Sequence, residues 1–76
     1  MNQKRMIALE FLGVCSRKLR DAESFEQRVI ESKMRLYYLK LAEKYGCRES
    51  EMRLALGVSE YHLAELLVMA RELTEA

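Results

Sequence analysis

The chain has 76 residues, 13 basic and 12 acidic side chains, a formal net charge of +1, no proline and an apolar half. This composition excludes disordered and fibrous classes, and the net charge alone says little about partners. One small domain is expected, burying only ~60–65% of the surface that its unfolded chain exposes, and domains this thin often gain stability from a disulfide, a metal or a second subunit.

A first helix fits Gln3 to Arg20, where Ile7, Phe11, Val14 and Leu19 make an apolar stripe widened by Met6 and Cys15. Gly13 lies in its interior, at ~1 kcal/mol relative to alanine, which implies close packing against a neighbour. The apolar run is interrupted by Glu10 and has no small-residue cleavage site, so it is read as an amphipathic helix and not as a signal peptide.

Ser24 begins a second helix, with Gln27 placed to complete a capping box. It runs to Tyr45, with Ile30, Met34, Tyr37, Leu41 and Tyr45 along one face and Val29 and Leu36 at its flanks. Gly46 ends it. A short third helix fits Arg48–Leu56, with Met52, Ala55 and Leu56 inward, and Gly57 closes it. Ser59 caps a fourth helix to about Leu73, in which Leu63, Leu66, Ala70 and Leu73 alternate steps of three and four and Leu67, Val68 and Met69 broaden the face. The fold class is therefore all-α, a single-domain bundle of about four helices.

The two glycine breaks are candidate helix-turn-helix turns. That element needs a residue tolerant of positive φ, a small side chain four positions earlier and apolar anchors six and nine positions later. At Gly46 these places hold Ala42, Met52 and Ala55. At Gly57 the small position is taken by Arg53, and the outward residues Ser59, Glu60, Tyr61 and Glu65 include two carboxylates that would repel phosphates. LAEKYGCRESEMRLAL (Leu41–Leu56) resembles the turn of bacterial helix-turn-helix regulators, especially the GntR-like winged domains, over sixteen residues and without the strand pattern of a wing. The resemblance implies a reading helix whose Arg48, Ser50 and Arg53 meet base edges, with Lys40 and Lys44 on phosphates and Arg17, Lys18 and Arg20 extending the footprint. Glu49 and Glu51 dilute that helix, and the sequence pI of 7.8 is below the ~9 typical of DNA-binding domains.

SFEQRVIES (Ser24–Ser32) and EYHLAELLVMAREL (Glu60–Leu73) are similar in flavour to segments of the Hha/YmoA nucleoid-modulator family, with a spacing about ten residues longer. That likeness implies action through a protein partner.

Two functional readings follow. One is a small dimeric DNA-binding regulator of bacterial or phage type. The other is a protein-interaction adaptor or anti-regulator, using the broad apolar face of the fourth helix (Leu63, Leu66, Leu67, Ala70, Leu73) and the contrast between a basic front and an acidic back. Residues 1–20 hold five bases and one acid, and residues 57–76 hold four acids and one base.

No catalytic constellation, metal site or cofactor is expected. His62 has no matching ligand, and Cys15 and Cys47 form no C-x-x-C pair. They read as free thiols of a cytoplasmic protein, with Cys47 placed where a helix dipole could lower its pKa. The four tyrosines read as core-edge residues and not as base-stacking platforms.

Overall fold

In the computed structural model, which describes residues 3–75, the chain forms α1 (Gln3–Arg20), α2 (Phe25–Lys44), α3 (Glu49–Leu56) and α4 (Glu60–Glu75), with no strand among those residues. The Glu75 side chain, part of the acidic back, lies outside what is described.

Local chemistry explains each boundary. Ser24 is extended (φ −125°, ψ 156°), and its Oγ accepts from the Gln27 N–H at 3.1 Å, satisfying one orphan donor of α2. Among the described residues no bond from the Gln27 side chain closes the expected box. The end of α2 is a Schellman motif. Gly46 takes φ +81°, its N–H donates to Glu43 O at 3.1 Å, and the Cys47 N–H donates to Ala42 O at 2.9 Å. Gly57 ends α3 at φ +71°, with its N–H on Arg53 O at 2.7 Å. Ser59 Oγ then accepts from the His62 N–H at 3.1 Å and starts α4.

The helices form a ring in which α1 packs on α2 and α3, and α4 packs on α2 and α3. Consecutive α2 and α3 make at most peripheral contact. The α1–α2 hairpin is antiparallel. Lys4 Nζ sits 5.7 Å from the Tyr45 ring centroid at one end, and the Phe11 and Tyr38 rings stack with centroids 5.1 Å apart midway. Arg5 reaches Glu51, and Gly13 approaches Ala55, so α3 runs in the direction of α1.

Leu12, Leu39 and Leu63 are fully buried at the centre, joined by Leu36, Leu56, Leu66, Leu67, Met52 and the small residues Ala8, Ala42, Cys47 and Ala70. This corrects the faces expected for α1 and α2. The inward stripe of α1 is Ala8, Leu12 and Cys15, while Met6, Ile7 and Phe11 are exposed and Val14 and Leu19 are half-buried. The inward stripe of α2 is Leu36, Leu39 and Ala42, while Val29, Ile30, Met34 and Tyr37 are exposed and Leu41 and Tyr45 are half-buried. Each helix carries two apolar stripes, and the one with smaller side chains faces inward. Small residues at a crossing let helix axes approach to the ~8–10 Å of close packing, so they win the interior.

Candidate functional site

The Gly46 element has its local parts in place. Ala42 is fully buried, Gly46 is left-handed, Met52 is 2% exposed and Ala55 is partly buried against the core. Around this turn α3 lies chiefly on α1 and α4, while Ala42 of α2 and Met52 of α3 share the same buried core.

Glu51, read above as diluting the charge of α3, has a structural role. Its Oε1 accepts from the Arg48 N–H at 2.8 Å, completing the α3 N-terminus, and from Arg5 Nη2 at 2.6 Å, fastening α1 to the turn. The Arg48 N–H first, and Arg5 after it, hold this carboxyl below the usual glutamate range. The sequence signal was the three-residue spacing from Arg48, a capping-box distance with no hydroxyl at its start.

The open side of α3 then carries Arg48, Glu49 and Ser50, all exposed, with Arg53 half-buried and Leu54 87% exposed. A leucine thus stands among the groups expected to read bases. Lys40 is half-buried and Lys44 exposed on the last turns of α2. Arg17, Lys18 and Arg20 are exposed on the last turn of α1, and Arg17 and Arg20 share a cleft with the Leu54–Gly57 end of α3.

The expected interface on α4 is mostly interior. Leu63, Leu66, Leu67 and Ala70 are each at most 7% exposed, covered by the chain's own helices, and of the five only Leu73 is open, beside exposed Val68 and Met69. Arg71 on this helix pairs through two nitrogens with the Glu43 carboxylate, joining α4 to the end of α2. The outer stripe of the fourth helix is therefore not the broad apolar surface of this molecule.

That surface is the outside of the α1–α2 hairpin. Both isoleucines and both phenylalanines of the chain are more than 40% exposed, while the core is assembled from leucine, methionine, alanine and cysteine. Ile7 and Phe11 stand one turn apart on α1; Ile30, Met34 and Tyr37 follow at steps of four and three on α2. The two rows join through Tyr38, which stacks on Phe11 and meets Tyr37 edge-on with centroids 5.3 Å apart. Beside them Lys4, Ile7, Ala8, Tyr38, Leu41 and Tyr45 line an apolar hollow of about 190 Å³. The periodicity of both stripes was legible in the sequence, but their exposure was not.

No family model matches the chain, and neither a curated protein nor a solved structure matches it.

Both thiols are free, as expected, but Cys47 does not have the lowered pKa that a helix N-terminus could give it. Cys47 is 8% exposed, and its Sγ donates to Arg5 O at 3.8 Å. Burial, the largest influence, pushes its pKa up despite the α3 terminus beside it. Burial pushes Cys15 up in the same way, with Glu31 adding to the rise. Among the described residues no cluster of three or more His, Cys, Asp or Glu side chains could hold a metal, and no helix is long and apolar enough to cross a membrane.

Proposed function

We propose that this protein is a helical association module that dimerises through the outer face of the α1–α2 hairpin. One observation carries the reading: α1 and α2 are apolar on both sides, and the larger side chains lie on the side away from the chain's own core. Contiguous exposed apolar surface of this kind marks an interaction site, whereas scattered single residues would not.

The area is of the right order. Ile7, Phe11, Ile30, Met34 and Tyr37 are 38–58% exposed. At roughly 200–250 Å² per full side chain they present on the order of 500 Å², and the neighbouring half-buried groups bring this near the ~600–1,000 Å² per partner of a stable dimer. A second copy is the favoured occupant. A thin 76-residue domain with its isoleucines and phenylalanines facing water gains from a permanent cover, and two-fold pairing of identical surfaces is the commonest way to supply one. Two hairpins packed face to face would make a four-helix layer.

The test is the mass in solution of Met34→Glu and Ile7→Glu beside the unaltered chain. Both positions are exposed in the monomer, so the substitutions spare its core. Each should halve the mass without loss of helix. Variants that keep the parent's mass would end this reading.

A second reading has its own support. With Glu51 tied to Arg5, the open side of α3 keeps Arg48, Ser50 and Arg53 beside Glu49, which has no ion pair among the described residues, and a dimer would present two such helices to duplex DNA. This is the helix-turn-helix regulator that the Leu41–Leu56 resemblance implies. Duplex binding that falls steeply with salt and disappears in Arg48→Ala/Arg53→Ala would support it. A flat gel shift at ~100 mM salt would remove it.

A further inference from the structure

We infer that the cleft between the C-terminal halves of α1 and α3 and the middle of α2 binds a phosphate group. It has a volume of about 420 Å³, and its lining includes Ser16, Arg17 and Arg20 of α1, Arg35 of α2 and Gly57 at the end of α3. Three arginines from two helices thus line one hollow, and no aspartate or glutamate is among the described residues lining it. Guanidinium forks suit the tetrahedral oxygens of a phosphate, which accept two parallel N–H bonds from each arginine.

The arginines have no other employment among the described residues. Arg35 is half-buried, its Nε is shielded from water, and that nitrogen has no hydrogen-bond partner. Burial lowers its pKa, and no carboxylate offsets the effect. A shielded guanidinium nitrogen without an acceptor is unfavourable, and Arg5 and Arg53 share that state at Nε, so the grouping of Arg35 with Arg17 and Arg20 in one cleft is what distinguishes it. Among the described residues Arg17 makes no ion pair. Arg20 reaches Asp21 at 3.9 Å, with both side chains more than 70% exposed, a geometry worth little in water.

Three features oppose an anion here, the first being the Asp21 carboxylate beside Arg20. The carbonyl end of α3 lines the cleft and carries roughly half a negative charge. Glu31 stands one turn before Arg35 on α2, close enough to push the Cys15 thiol upward. The three guanidinium charges still exceed these three together. Capping of the α3 carbonyls by these arginines would explain their placement, but no such hydrogen bond is made; Arg53 O accepts from the Gly57 and Val58 N–H groups instead. Ser16 Oγ already donates to Leu12 O at 2.8 Å, so the arginines carry recognition. The hollow is larger than inorganic phosphate needs and lies in the ~300–1,000 Å³ range of small-molecule sites, so the phosphate would be borne by a nucleotide-sized group or by a nucleic-acid backbone.

The experiment is a titration of the full chain with inorganic phosphate and then with a nucleoside monophosphate, following the arginine Nε–H signals by NMR. The Arg35 Nε–H should shift saturably at millimolar phosphate. Arg35→Gln should weaken binding about ten-fold, as expected for a lost hydrogen bond to a charged group. Arg20→Gln, at an exposed rim that the fold does not need, should weaken it less. A short DNA duplex then separates the two sources. Displacement of the mononucleotide assigns the cleft to backbone phosphate, and no displacement assigns it to a small phosphorylated molecule. No saturable shift at Arg35, or equal binding by the parent and both variants, would overturn the proposal. Shifts centred on Arg48 and Arg53 instead would overturn it as well.

Discussion

Gly13→Ala should make this protein more stable. Gly13 is buried inside α1, where alanine is favoured over glycine by ~1 kcal/mol. A methyl added there would meet Arg17 Nη1 at 3.5 Å and Ala55 O at 3.7 Å, ordinary van der Waals distances. Its nearer neighbour is the far end of a flexible side chain. The substitution therefore adds helix propensity without overpacking and should stabilise by about 0.5–1 kcal/mol. In a domain this small that corresponds to a rise of about 3–7 °C in melting midpoint. The assay is thermal and urea unfolding followed by circular dichroism at one fixed protein concentration, because a self-associating chain has a concentration-dependent midpoint. The urea slope should not change. An unchanged or lower midpoint would show that α1 and α3 need the closer approach, and the packing described here would be wrong. Gly46→Ala provides the opposite case. Nothing lies within 4 Å of the added methyl, yet φ is +81°. The left-handed backbone should cost about 1–2 kcal/mol despite the open space.

Three further outcomes follow from the same structure. Glu51→Gln removes a carboxyl whose folded pKa is depressed by the Arg48 N–H and by Arg5. Such a group's contribution is complete above the ordinary glutamate value of about 4.3 and is lost as pH falls through the folded value, so unfolding midpoints should fall less steeply with acid in Glu51→Gln than in the parent; parallel curves would contradict the tether. Cys15 and Cys47, buried and with pKa pushed up, should react with iodoacetamide at pH 7.5 far more slowly in the native protein than in urea, as intact mass would report; rapid native labelling would refute their burial. Leu66→Glu, at a side chain 3% exposed, should abolish cooperative unfolding instead of merely dissociating a complex. A folded monomeric Leu66→Glu would return α4 to consideration as the interface.

The helices and their ends were legible in the sequence because their causes are local. Ser24, Gly46, Gly57 and Ser59 act within a few residues of where they stand, and α1 occupies the predicted span of Gln3–Arg20. Which face of a helix turns inward is not local. Ile7, Phe11, Ile30 and Met34 have the period of a buried stripe and are larger than Ala8, Cys15 and Ala42, so size favoured the wrong side. Only the close approach of several helices decides for the small residues. The same limit applies to α4, whose broad face reads equally well as a bundle centre or an interface until α2 and α3 cover it. The arginine cleft was outside reach for a related reason: Arg17 and Arg35 are eighteen positions apart and meet only across the hairpin.

Sedimentation equilibrium of the unaltered chain from about 1 to about 100 µM tests the central claim most directly. The account predicts a species of twice the 8.9 kDa chain mass, at least at the upper concentrations. A single 8.9 kDa species throughout would contradict it and leave the α1–α2 face without its proposed partner.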